Sequence, residues 1–522
     1  MRTANSLKNI SISLGSQIII VILGFISRKV FLDNLGAEYL GINGLLTNVL
    51  AMLALVESGI GTSIVYNLYK PLAENNKPKI IAFVQLYKKA YAILAVIIFI
   101  LSISIYPLLD NLLKGESISY FTIVYFIFVG KNMITYFNAH KVSLIYADQK
   151  GYVLARVNIL FQILTLLSRI GILVLTKDYV IYLLVELIVF IVQNIFNGLI
   201  VNKRYNYIKT KKTYLIDREE KEKLIKNVKA LFLHNIGSYC VLGTDNILIS
   251  TFAGIVTVGL YSNYSMIIGQ IGSLISPLLG GVGASVGNLI ATESDQKKYS
   301  IFKVIYLLNF WIYSICFVVL YNLLEPFINW WLGGGYLLDR LTFLVIMVNF
   351  YIMGLRSSIS TFKIKAGIFV QDKYIPLIEA AVNLGTAIIL VQYFGLAGIF
   401  IGTTISTLVT FWYAPRLVYE QIFQMPVWDY FKKYILYGIL TIVACAVTTY
   451  ICSFLSNENG ILSLIGIGMI CVIIPNILFT LFFYKTEEFK YLMNFFMKGI
   501  KKVNALFRST AAKLKSQYGI GH

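Results

Sequence analysis

The sequence predicts an all-α polytopic membrane protein of about fourteen transmembrane helices, arranged as two parallel-repeat six-helix lobes with two extra C-terminal helices. Three observations predict it. Of 522 residues, 58% are hydrophobic and 13% charged, and a mean hydropathy of +0.74 leaves too little polar surface to coat a soluble domain. Apolar runs at 18–26, 92–105, 181–195, 439–450 and 461–483 recur between short polar turns, as bilayer spans do. Lys and Arg collect in alternate turns, the bias that sets membrane orientation.

Each element follows in turn. The first span, 9–32, comes after Arg2 and Lys8 in the manner of a signal peptide, but no small-residue cleavage site follows it, so it reads as a retained helix. The second, 40–68, contains the segment Glu57-Ser58-Gly59-Ile60-Gly61, whose glycines allow close helix approach. Spans 86–107, 118–140, 151–175 and 179–201 complete a first set of six. The mixed-charge stretch 202–228 reads as a connector forming a surface helix. Spans 229–252, 257–291, 300–325, 339–362, 373–393 and 396–416 make a second set, and 431–454 and 461–484 have no counterpart. Beyond them Leu492, Phe496, Val503, Leu506 and Phe507 fall near one helical face with lysines elsewhere, as in an interfacial helix. The expected organisation is therefore an N-lobe at 1–201, a connector at 202–228, a C-lobe at 229–420, two added helices within 421–484 and a basic amphipathic tail at 485–522.

With both termini cytoplasmic, 36 of the 45 Lys and Arg fall on the inner side, five on the outer side and four within spans. The net charge of +20 is then a set of topological anchors that also favour anionic lipid, and it gives no reason to expect nucleic acid as a partner. The five cysteines, at 240, 316, 445, 452 and 471, lie in or beside apolar spans without paired spacing, so neither a disulfide framework nor a metal site is indicated.

The two sets of six resemble each other at a nearly fixed offset. Adding 222 carries Gly59, Gly61 and Ser63 onto Gly281, Gly283 and Ser285, and Lys141, Gln149 and Tyr152 onto Lys363, Gln371 and Tyr374; a four-residue slip carries Gly36 and Gly41 onto Gly254 and Gly259. An even number of spans per unit keeps both copies in one orientation, as in parallel-repeat transporters.

Lys131, Arg156, Arg169 and Arg356 lie inside apolar spans. A charge near the bilayer centre costs at least ~2.5–3.5 kcal/mol, so such residues face a protein interior or a hydrated cavity. Helical spacing puts Asn158, Gln162, Thr165 and Arg169 on one face, Lys131, Thr135 and Asn138 on another, and Asn349, Arg356, Ser360 and Lys363 on a third; Gln17 aligns with Arg28 in the first span. These stripes predict a cationic cavity lined by Arg28, Lys131, Arg156, Arg169 and Arg356, with Gln17, Glu57, Asn158, Gln162 and Asn349 as polar neighbours. For Lys131, Arg169 and Arg356 the competing reading is an interhelical ion pair with Glu57, Glu186 or Glu379. For Arg28, Arg156 and Lys363 it is snorkelling to the membrane surface. Asp245, Glu379 and Asn383 form a candidate Na⁺ or H⁺ site, or else a buried pair with Arg356 or Lys363. His234 reads as a packing residue before a proton relay. No nucleophile–base constellation marks an enzyme.

The run Phe31-Leu32-Asp33-Asn34-Leu35-Gly36-Ala37-Glu38-Tyr39-Leu40-Gly41-Ile42-Asn43-Gly44, with Glu57–Gly61 and Tyr69-Lys70-Pro71-Leu72-Ala73-Glu74, resembles the start of bacterial Wzx-type polysaccharide flippases, members of the multidrug/oligosaccharidyl-lipid/polysaccharide exporter superfamily. The resemblance covers 1–484. It implies a multi-pass protein of the bacterial cytoplasmic membrane that moves undecaprenyl-diphosphate-linked oligosaccharide outward by alternating access. It also implies membrane lipids, a polysaccharide polymerase and glycosyltransferases as partners, no cofactor beyond a coupling ion, and acidic residues on spans seven and eleven at that ion. Arg suits a diphosphate because its planar fork of donors matches phosphate oxygens. The rival readings are a cation-coupled multidrug antiporter of the same superfamily, which would want a negative cavity, and a membrane polymerase, which would want catalytic groups on large outer loops.

Overall fold

The computed structural model describes residues 2–57, 60–109, 120–148, 150–222, 243–368, 374–454 and 460–494 with isolated positions between them, and their side chains from Gln17 onward apart from short stretches such as 276–285. His234, Cys240 and the tail beyond 497 lie outside the described residues. Described helix falls in each of the fourteen expected stretches, and ten of the described helices are long and apolar enough to cross a bilayer.

The first half comprises α1 (Arg2–Leu53), a 3₁₀ turn (Ala54–Glu57), α2 (Ile60–Ala73), α3 (Lys77–Ile105), α4 (Phe121–Ala147), α5 (Tyr152–Thr176) and α6 (Tyr179–Arg204). The second comprises α7 (Asp245–Ala253), α8 (Ile255–Thr292), α9 (Asp295–Leu332), α10 (Arg340–Leu355), α11 (Ser357–Lys365), α12 (Ile375–Phe394), α13 (Leu396–Thr410) and α14 (Tyr413–Val418). Local chemistry starts several of them: Asn76, Asp178 and Asp339 each accept a backbone N–H of the first turn of α3, α6 and α10, satisfying donors that no helical carbonyl reaches.

Two glycines set the join between the halves. At Gly36, φ is 84° and ψ 179°, so α1 breaks there and changes direction; Gly254, between α7 and α8, repeats that conformation with φ 91° and ψ 163°. Positive φ of this kind is open to glycine and strained for other residues. Beside each break a second glycine allows backbone contact. A Cβ on Gly41 would run into the Ile255 carbonyl, and one on Gly259 into the Ala37 carbonyl. Residues 41 and 259 are 218 apart, and so are 37 and 255, so every contact is answered by its mate, as a twofold axis requires. The same offset relates Arg28, which donates to Ser262 Oγ at 3.0 Å, to Asn246, which donates to the Gly44 carbonyl at 3.4 Å. Edge-to-face contacts of Phe25 with Phe327 and Trp331 extend the seam.

The added helices, α15 (Trp428–Ser453) and α16 (Ile461–Phe483), pack on α9. Polar bonds fasten them where water is scarce: Ser314 with Thr441 at 2.7 Å, Thr449 to Asn322 at 2.8 Å, and Trp311 to Asn476 at 2.8 Å. Around them the core is aromatic, with the rings of Phe310 and Tyr437 stacked 4.2 Å apart. Cys445, Cys452 and Cys471 are buried free thiols in the same region.

The connector is not one surface helix. It runs as a 3₁₀ turn (Asn206–Lys209) and an extended strap before helix resumes at 218. The reason is a clamp: the Gln85 amide donates to the Lys212 carbonyl at 2.8 Å and accepts from the Tyr214 N–H at 3.1 Å, bonds that a helix would have kept for itself.

Candidate functional site

A cavity of about 350 Å³ opens inside the first half. The break in α1 lets one element wall it twice, with Ser27 and Arg28 before Gly36 and Asn43 and Thr47 after it. From α4 comes Lys131, from α5 Arg169, and from α6 Tyr182 and Glu186 one turn apart, while Met266 of α8 reaches it from the other half. Glu186, with only 8% of its side chain accessible, is the anchor: Lys131 bonds one carboxylate oxygen and Arg169 the other, at 2.6 Å from Nη2 and 3.1 Å from Nε. A carboxylate this buried is tolerable only with cations against it. The Arg169 guanidinium also lies 5.5 Å from the Tyr182 ring centroid, and Tyr179 donates to Asn43 at 3.0 Å.

Three cations and one carboxylate line this space, so it carries a formal excess of two positive charges. Arg28 meets no carboxylate among the described residues; its bond goes across the seam to Ser262. The cavity is therefore a place where an anion gains direct, charge-assisted hydrogen bonds, and one of its cations is held by the opposite lobe.

The second half answers with neutral groups. Shifting Lys131 and Glu186 by 218 gives Asn349 and Thr404, which are likewise bonded to each other, Thr404 donating at 2.7 Å; both pairs are 55 residues apart in sequence. Asn349 also donates to the Phe400 carbonyl at 2.8 Å. Arg28 and Arg169 map onto Asn246 and Ala387. Thus one scaffold carries charge in its first copy and amides, hydroxyls and methyls in its second.

The remaining candidates disperse. Arg356 sits at the break between α10 and α11, where Asn309 takes the released carbonyls of Gly354 and Leu355; its guanidinium pairs with Glu379 at 3.1 Å, and Thr407 donates to the same oxygen at 3.4 Å. Lys363 pairs with Asp372. Asn383 is buried and donates to Thr403 at 3.0 Å. Asp245 has a buried oxygen without a hydrogen-bond partner, and its helix packs on α13. Glu57 closes the 3₁₀ turn after α1 with no ion pair among the described residues. Asn158 accepts from Gln193 and Asn197 on α6. Arg156 and Gln162 are exposed, and neither they nor half-buried Gln17 lines the cavity. Asn43, Thr47 and Tyr182 were not anticipated from the sequence. Asn43 and Thr47 stand one turn apart, the spacing that pointed to the other stripes.

A pseudo-twofold axis thus relates two helical lobes, and the cavity of the first carries an excess of positive charge. The family model described as "Polysaccharide biosynthesis protein" matches residues 6–284, and the chain belongs to that family. Among solved structures it is similar to the lipid II flippase MurJ in an inward closed conformation, with 15% identity and a TM-score of 0.63 over 90% of this chain and 98% of that one. It is also similar to a multidrug resistance MATE family transporter of the MOP superfamily in an inward-facing conformation, with 16% identity and a TM-score of 0.55 over 76% and 94%. A MOP superfamily transporter from Pyrococcus furiosus, for which a reversed polarity of the binding pocket suggests a different function, gives 15% and 0.51 over 78% and 94%. At these identities the likeness is one of fold. None of the curated proteins matches by sequence.

Proposed function

We propose that the chain is a flippase for an undecaprenyl-diphosphate-linked oligosaccharide repeat unit, working by alternating access in the bacterial cytoplasmic membrane with both termini inside. The observation that carries this reading is the unbalanced charge of the cavity, where Glu186, the one carboxylate among the described lining residues, is held by Lys131 and Arg169 and leaves Arg28 without a counter-ion. A diphosphate supplies the missing negative charge, and in accepting from Arg28 it competes with Ser262, the bond that ties the lobes together at that point. Substrate binding thereby acts on the seam. Membership of a polysaccharide biosynthesis family supports the sugar half of the substrate. An apolar groove of about 280 Å³ between α8, α9 and α16, walled by Ile271, Leu323, Phe327 and Leu464 among others, suits the polyprenyl tail, which stays in hydrocarbon while the head group crosses.

Asp245, Glu379 and Asn383 are proposed as the coupling-ion site, completed only when Glu379 leaves Arg356. Glycosyltransferases and a polysaccharide polymerase are the proposed upstream and downstream partners, respectively. The multidrug reading is less well supported, because an organic cation entering this cavity meets two uncompensated positive charges.

The test is translocation of a lipid-diphosphate oligosaccharide by the purified chain in vesicles. Arg28→Ala and Arg169→Ala should each cut transport while the protein still inserts; wild-type rates from both sink the proposal. Rates indifferent to sodium, pH and membrane potential sink the ion site alone.

A further inference from the structure

Separate from the N-lobe cavity, a cluster of five lysines surrounds a pocket of about 690 Å³ beside the connector. Lys88 and Lys89 come from α3, Lys141 from α4, and Lys209 and Lys211 from the connector, at the end of its 3₁₀ turn and the start of its strap. No carboxylate among the described residues lines it. Among the described residues none of these five lysines has an ion pair, whereas their neighbours Lys79 and Lys150 are matched with Glu220 and Asp148. The gathering is built rather than loose. Gln85 clamps the strap's backbone just beyond Lys211, at the Lys212 carbonyl and the Tyr214 N–H, which keeps Lys209 and Lys211 beside the α3 pair, and Lys141 is fixed by a 2.9 Å bond to Asn138. His140, 96% buried since 4% is exposed, lines the pocket with a ring nitrogen that has no hydrogen-bond partner.

Folding has therefore brought five cations and an unused donor or acceptor around one space, at a cost in repulsion that only an anion relieves. The level in the membrane says which anion. Lys88 and Lys89 immediately precede the apolar run 90–105, and Asn202, on the opposite wall, is near the end of α6. The pocket thus sits at the depth of lipid head groups. Basic pockets between helices at that depth bind phosphate head groups.

We propose that this pocket is a second anion site, separate from the N-lobe cavity, which takes the phosphate of a membrane-tethered lipid. It does not depend on the flippase reading. One source is an anionic glycerophospholipid; the other is a polyprenyl diphosphate waiting outside the transport path.

Native mass spectrometry of the full-length protein in detergent separates these outcomes. Phosphatidylglycerol, phosphatidylcholine and undecaprenyl diphosphate are titrated in turn against wild type, Lys88→Gln/Lys141→Gln/Lys209→Gln and the corresponding triple arginine variant. Wild type and the arginine variant should retain a phosphate-bearing anionic lipid at least tenfold more tightly than the glutamine variant, and whichever lipid loses more affinity from wild type to the glutamine variant identifies the source. Thermal unfolding of all three proteins verifies the fold; if the glutamine variant is unstable, Lys209→Gln alone, exposed at the end of the 3₁₀ turn, replaces it in the comparison. Equal retention by wild type and glutamine variants, or phosphatidylcholine held as tightly as phosphatidylglycerol, overturns the proposal.

Discussion

The two lobes share a scaffold and differ in charge. In the first, Lys131 and Arg169 close on Glu186 with Arg28 beside them. In the second, Asn349 and Thr404 bond where that ion pair stands and Asn246 holds the place of Arg28; the interior cations Arg356 and Lys363 are matched one to one with Glu379 and Asp372. The dyad constrains backbone, because glycine-to-carbonyl contacts must be answered by their mates. It does not constrain which side chain projects into a lobe. One half of a duplicated fold can therefore carry a surplus of charge in its cavity while the other half pairs its interior charges one to one.

The sharpest way to break this comparison is to remove the anchor. Glu186→Ala leaves Lys131 and Arg169 without a counter-ion and should cost ~3–5 kcal/mol, read as a fall in the thermal unfolding midpoint in detergent, whereas the mate substitution Thr404→Val should cost about 1 kcal/mol. Equal losses would mean the lobes are equivalent after all. Arg356→Ala should also destabilise by a few kcal/mol, since it strands Glu379. Here the second substitution Glu379→Gln should restore most of the stability, read by the same unfolding measurement.

Next in size is the ligand's own contact. Arg28→Ala should slow translocation roughly ten- to a hundredfold, the worth of a hydrogen bond to a charged group, while Asn246→Ala at the mate position changes it by less than about threefold. The dyad glycines supply the control in which the lobes ought to agree: Gly41→Ala and Gly259→Ala each push a methyl into a carbonyl of the other half and should destabilise by similar amounts, about 1–3 kcal/mol, measured by unfolding in parallel. The smallest effect belongs to Ser262→Ala, which removes one hydrogen bond from Arg28. It should lower stability by no more than ~1 kcal/mol and tighten lipid-diphosphate binding slightly.

The legible part of the site was the list of charged residues, and the illegible part was their pairing. Lys131, Arg169 and Arg356 each had Glu186 or Glu379 among their expected partners, yet nothing in the spacing said that one carboxylate would serve two cations and another only one. Arg156 shows the limit plainly. It lies two positions from Asn158, which on a helix is the far side, so the stripe that includes Arg169 excludes it. Lysines 88, 89, 141, 209 and 211 read as anchors of topology because they are scattered over 124 positions of sequence, and only the clamp of Gln85 on the strap brings them together.

By itself the sequence determined the environment and the chain's course through it. Hydrocarbon admits only segments that satisfy their own backbone bonds, so apolar length and the side on which Lys and Arg fall were enough to predict an all-helical membrane fold, and paired glycines at matching offsets were enough to predict duplication. Tertiary structure decided where the charge ended up. Ion pairing and cavity shape depend on how helices rotate and cross, on contacts between residues 17, 55 or 234 positions apart, and such distances are set by packing across the whole bundle rather than by any local pattern.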